Sequence, residues 1–197
     1  MARMTGYLMP STPNKQVYAL SLVPFADEHF ATLSGWFQSQ KEVTQWGGPG
    51  LLHPLDKSQL APMMVEVDHS AAKALCWMVE DEAGKTIGHA QLAFDWPNGV
   101  ARLCRVAIAP SERGRGLASH MVREVVARAF SHPQIERVEL NVYSWNVAAI
   151  RAYARQNFVK EGVRRSSVLI DGERWDTVMM AMLRQEWEGA NSTPPEA

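Results

Sequence analysis

The feature that most constrains this chain is the stretch RVAIAPSERGRGLASHMVREVVARAF, residues 105–130. Its apolar run ends at Pro110, which has no N–H with which to extend a strand ladder. Ser111-Glu112-Arg113-Gly114-Arg115-Gly116 then turns directly into a helix at Leu117. Ala118, Met121, Val122, Val125, Val126 and Ala129 recur at helical spacing and give that helix one apolar face. The two glycines permit positive φ and close approach of a ligand to the backbone. The first helical turn offers unpaired N–H groups and the positive end of the helix dipole. Arg113 and Arg115 add charge. The stretch therefore reads as a site for a phosphate or pyrophosphate or, without a ligand, as a tight turn with solvated arginines.

Two familiar phosphate loops are excluded. No G-x-x-x-x-G-K-[ST] run exists, and a dinucleotide fingerprint would need glycine where Ser119 stands. With a formal net charge of -1, nothing directs the chain to nucleic acid or to a membrane surface. No apolar run approaches the length of about 18 residues that a membrane span requires. Cys76 and Cys104 lie inside apolar runs without metal spacing, and the histidines are scattered, so no metal is expected. Buried free thiols suit a reducing cytoplasm, which is the expected location.

Strand signals occur at 17–23, 74–81, 86–94, 100–109, 137–143, 174–183 and near 159–170. Turns at DEAGK and DWPNG make 74–109 an antiparallel meander. Helical signals cover 26–38, 56–67, 116–130 and 147–156. The expectation is a loose leader over 1–15, one domain over 16–187 and a flexible tail over 188–197. The class is mixed α/β, with a mostly antiparallel central sheet flanked by helices. It is not a doubly wound fold, because helices do not follow every strand.

Arg113-x-x-Gly116-x-Ala118 after an apolar strand, followed by LNVYSWNVAAIRAYARQNFVKEG (140–162), resembles the GNAT family (GCN5-related N-acetyltransferases). Asn146, Ala149, Ile150, Tyr153 and Phe158 stand at the family's second motif. The resemblance covers about residues 73–184, and it implies the family's acyl-CoA N-acyltransferase fold and acetyl-CoA as co-substrate. The pyrophosphate would lie on the backbone of Gly114, Arg115, Gly116, Leu117, Ala118 and Ser119, beside Arg113. The pantetheine would run along Val106, Ala107 and Ile108, in a gap where that strand splays from the one carrying 138–143. Direct transfer to an amine is implied.

Asn146 is a good helix cap by side chain alone, and the resemblance adds a cofactor contact. Tyr153 reads either as a core tyrosine or, by resemblance, as the proton donor to the leaving thiolate. Asn157 replaces a usual glycine, which a left-handed helix end explains. The general base stays unassigned. Asn141 stands where some relatives have Glu, Arg102 and Cys104 stand where others carry a carboxylate, and Glu139 and His89 could act only through water.

The acceptor side would come from LSGWFQSQKEVTQWGGPGLLHPLDKSQLAPMM (33–64). Its Trp-Gly-Gly run is similar to that of some aminoglycoside-acetylating relatives and of the RimJ/RimL-like branch. Trp36, Phe37 and Trp46 could wall a pocket or anchor the core. Glu42, Asp56, Glu66 and Asp68 form no acidic cluster. The expected acceptor is a small-molecule primary amine. A protein or peptide N-terminus, or a non-catalytic acyl-CoA-binding sensor module, are the alternatives. A homodimer is left open.

Overall fold

The computed structural model describes residues 18–64 and 72–192. The expected leader over 1–15, Glu66, Asp68 and the last five residues of the tail lie outside them.

Seven strands form one sheet: β1 (Ser21–Pro24), β2 (Ala74–Glu80), β3 (Thr86–Asp95), β4 (Val100–Ile108), β5 (Arg137–Tyr143), β6 (Val159–Ile170) and β7 (Glu173–Leu183). Their spatial order is β1-β2-β3-β4-β5-β7-β6. Only β4 and β5 pair in parallel, and the other neighbours are antiparallel. The helices are α1 (Phe30–Ser34), α2 (Gln40–Gly47), α3 (Lys57–Leu60), α4 (Leu117–Phe130), α5 (Val147–Ala154) and α6 (Arg184–Ser192).

The sheet is covered on both faces because its central strands are apolar on both. On one face α4 lays Val122, Val125, Val126 and Ala129 against Leu92, Leu103, Val138, Leu140 and Met180. On the other, Leu33, Phe37, Val43, Trp46 and Leu60 of the first helices and their links pack on Cys76 and Met78. Beyond those helices the second face stays polar, since Arg137, Glu139, Asn141 and Tyr143 alternate with the buried Val138, Leu140 and Val142 of β5.

Three local expectations change. Residues 26–38 do not form one helix: α1 ends at Gly35, and a separate α2 starts at Ser39, whose side chain accepts from Glu42 N. The second change is α2 itself, which lies outside the helical signals because the Gly47-Gly48 pair masks the turn-by-turn burial of Val43 and Trp46. The third change is at the C-terminus, where α6 carries the chain helically through the expected start of the tail at 188. Arg184 anchors it by donating to the carbonyls of His132 and Ile135, each at 2.7 Å. Trp187 stacks on Phe130 with ring centroids 6.0 Å apart.

Two irregularities of β4 shape the site. Its ladder with β5 stops at Leu103↔Leu140, although β4 runs on to Ile108 and β5 to Tyr143. The strands thus part, as the family resemblance implies. On its other edge β4 pairs His89↔Ala107 and Gln91↔Cys104, so it carries one residue more than β3 there. That extra residue makes a bulge, and Arg105 within it sits at φ 51°.

Candidate active site

The turn after β4 has the shape its glycines allow. Gly114 lies at φ 80° and Gly116 at φ 77°, both in the region that an L side chain adopts at a cost. A Cβ added at either would meet no protein atom within 4 Å, so the conformation, not crowding by the chain, calls for glycine. Among the described residues, the N–H groups of 114–118 donate to no protein acceptor. That row of donors at the head of α4 fits an anion. Ser119 differs from expectation, because its N–H already donates to Gly116 O at 3.2 Å. Leu117 buries its side chain in the core and can offer only backbone.

The charges in the turn are organised by a residue the sequence reading left unused. Glu112 is 3% exposed and accepts from Lys85 Nζ at 2.5 Å and from the Arg115 guanidinium. The Lys85 hydrogen bond, with help from Arg115, holds its carboxyl below the usual range. Arg115 and Lys85, the latter from the β2–β3 hairpin, are thereby fixed beside the turn. Arg113 donates from Nε to Ile108 O at 3.3 Å. A carboxylate just ahead of two arginines was visible in the sequence, but its burial and its distant partner Lys85 were not.

Val106, Ala107 and Ile108 follow the bulge. Ala107 and Ile108 pair with His89 and Gly88 of β3, while the opposite edge of β4 faces the gap and has no ladder. The bulge is held from beneath by three buried groups. Trp46 Nε1 donates to Arg105 O at 2.8 Å. His89 Nδ1 lies 2.7 Å from the same oxygen, and Nε2 lies 3.1 Å from Cys76 Sγ. Since a carbonyl only accepts, Nδ1 carries the hydrogen, and Nε2 accepts from the thiol. Arg105 Nη1 donates to Gln91 Oε1 at 2.6 Å.

This arrangement removes His89 from the candidate bases. It is completely buried, both ring nitrogens are engaged, and desolvation lowers its pKa to about 4. Burial pushes the Cys76 thiol up to about 12 and raises that of Cys104 as well. Glu139 is committed too: Arg102 Nη2 and Nε donate to it at 2.6 and 2.9 Å, and Arg137 Nε at 3.3 Å. Asn141 is exposed, and its amide cannot take up a proton. Of the two roles open to Trp36, Phe37 and Trp46, the structure shows the second: all three are core. Glu42 accepts from Gln38 N, and Asp56 caps α3.

Helix α5 brings the second motif to the gap. Asn146 Oδ1 caps it by accepting from Ala149 N at 3.2 Å, and Asn157 closes the following turn at φ 67°, the left-handed end expected. Tyr153 packs on the core beneath β5, 5.9 Å from Phe158 between ring centroids. Its hydroxyl has no hydrogen-bond partner among the described residues. Burial, and secondarily the Cys104 thiol, raise its pKa above the usual 10, so the phenol stays a proton donor at neutral pH.

A strand pair that parts beside a bulge, an open anion turn at a helix head and a capped helix carrying a tyrosine define an acyl-CoA N-acyltransferase architecture. The sequence bears this out, since residues 36–158 match the Acetyltransferase (GNAT) family. The chain belongs to that family. Among curated relatives, the uncharacterized N-acetyltransferase YokL of Bacillus subtilis is 31% identical over 83 residues, which is 42% of this chain and 47% of YokL. The chain thus spans about half the length of the first curated relatives it matches. An aminoglycoside N(6')-acetyltransferase type 1 of Klebsiella pneumoniae is 23% identical over 96% of this chain and 94% of its own length. In fold, the chain is similar to a spermidine N-acetyltransferase from Vibrio cholerae solved with CoA and spermine. That likeness has a TM-score of 0.73 at 20% identity and covers 85% of this chain and 97% of that one.

No described helix is long and apolar enough to cross a membrane, and the described residues hold no metal-competent cluster of His, Cys, Asp and Glu.

Proposed function

We propose that this chain is an acetyl-CoA-dependent N-acetyltransferase acting on a primary amine of a small molecule. The observation that carries the reading is the parting of β4 and β5 after Leu103↔Leu140, directly upstream of the donor-rich turn at 114–118. Family membership and the names of the relatives support the same chemistry.

Acetyl-CoA, when bound, supplies an activated acyl carbon and a thiolate leaving group. The backbone donors of 114–118, with Arg113, would hold its pyrophosphate, and the free edge of Val106–Ile108 would align its pantetheine. The bulge at Arg105, pinned by Trp46 and His89, would keep that edge rigid and so hold the thioester in place relative to the amine. Tyr153 would give its proton to the departing sulfur. Glu139 and His89 are both committed, so neither is assigned the amine's proton and the general base stays unassigned. The amine would enter neutral or lose its proton to water.

Thermal unfolding with acetyl-CoA, CoA, ATP or NAD tests the ligand assignment. A ligand at a hundred times its Kd stabilises by about 2.7 kcal/mol. A rise with the CoA compounds alone is expected. No rise with CoA at saturation would overturn the reading.

A further inference from the structure

Where β5 leaves the sheet, three aromatic rings meet on the face that carries α2. Tyr143 and Trp145 lie nearly parallel, 7° apart, with centroids 6.1 Å from each other. Trp175 stands across both, at 72° and 4.9 Å from Tyr143 and at 76° and 5.1 Å from Trp145. Trp175 is 5% exposed and forms a floor, whereas Trp145 is 41% exposed and forms an open wall.

The corner already holds a cation of the protein's own. The ammonium of Lys41, from α2, lies 5.6 Å from the Trp175 ring centre and 5.9 Å from that of Trp145, within the range of cation–π attraction. Glu173 adds a carboxylate 3.8 Å from Lys41 Nζ and accepts from Trp175 Nε1 at 3.3 Å, which orients the indole. Two ring faces and a carboxylate converge on one alkylammonium. Lys41 is held loosely, since its side chain is 57% and Glu173's 68% exposed, and an exposed pair of this kind contributes little. Tyr143 lies three residues beyond Leu140, about 10 Å along the strand from the point where β4 and β5 part.

We propose that the Tyr143–Trp145–Trp175 corner binds an alkylammonium group of the acceptor, one that is not itself acetylated and that displaces Lys41. Resting on the acetyltransferase reading, this narrows the substrate class to small molecules with at least two amines on a flexible chain. One amine reacts in the gap while the other sits over the rings.

The test uses choline, a quaternary ammonium that has no amine to acetylate, and its neutral isostere 3,3-dimethylbutan-1-ol. Binding is followed by tryptophan fluorescence without acetyl-CoA. Choline should bind at least about 5-fold more tightly than the alcohol, as cation–π attraction over two rings requires. Lys41→Met should tighten choline about 3-fold or more by removing the internal competitor, and Trp145→Leu should weaken it about 5-fold. Equal binding of the two probes, or no tightening in Lys41→Met, would overturn the cation site. With acetyl-CoA present, Trp145→Leu should raise KM for 1,6-diaminohexane several-fold more than for hexylamine. Equal effects on the two amines would overturn the acceptor role. If no amine releases thiol, the catalytic reading fails, and choline binding still decides whether the corner recognises cations.

Discussion

Replacing Gly116 with valine separates the turn's conformational demand from its proposed ligand. Gly116 sits at φ 77°, and a Cβ there touches no protein atom within 4 Å. The folded protein should therefore lose the cost of a left-handed L residue, about 1–2 kcal/mol, with a β-branched side chain at the upper end of that range. For a chain of this size that lowers Tm by about 2–8 °C. Ligand binding should suffer far more. The new methyl groups would stand above the N–H row of 114–118, where the pyrophosphate is proposed to lie. In the parent protein, acetyl-CoA at a hundred times its Kd adds about 2.7 kcal/mol, or about 5–11 °C. In Gly116→Val that increment should vanish at the same concentration, and calorimetric titration should give no measurable Kd. A variant that loses a few degrees and keeps the full acetyl-CoA increment would refute the reasoning, and the pyrophosphate would have to lie elsewhere.

Tyr153→Phe keeps the ring against Phe158 and should lower kcat about 10²-fold, with acetyl-CoA affinity changed less than 3-fold. An unchanged kcat returns Tyr153 to packing. Trp46→Phe removes one hydrogen bond from Arg105 O, which should cost about 1 kcal/mol and weaken acetyl-CoA by loosening the bulge. Retained affinity would mean that His89 alone holds it. The folded pKa of His89, about 4, lies below the unfolded value near 6.5. The unfolded state therefore takes up the proton first. His89's contribution is fully present above pH 6.5 and is lost as pH falls toward 4, by up to about 3 kcal/mol. Urea midpoints between pH 6.5 and 5 should slope downward in the parent and flatten in His89→Gln, and equal slopes would contradict the assignment.

What could be read from the sequence was what short-range chemistry dictates. The glycine turn, the Asn146 cap, the left-handed Asn157 and the two hairpins each depend on a few adjacent residues, and each is found where expected. The mixed sheet followed from the order of strands and helices. The β4 bulge did not, because it is a register difference between β3 and β4 that neither strand carries alone. Its supports were equally hidden: Trp46 reaches Arg105 across 59 residues of sequence. A tryptophan beside two glycines looks like a loop wall until α2 is seen to bury it. Glu139 and His89 looked available for proton transfer because single residues do not reveal their partners. Arg102 and Arg137 bind the first, while Arg105 O and Cys76 hold the second.

The central claim is acyl transfer, and amine-dependent release of free thiol from acetyl-CoA measures it most directly. Purified protein should release CoA in step with acetylated product when given a diamine, with no release when the amine is omitted. Tight binding of acetyl-CoA with no release across mono-, di- and polyamines and peptide N-termini would contradict the account, leaving a protein that binds the acyl donor without turning it over.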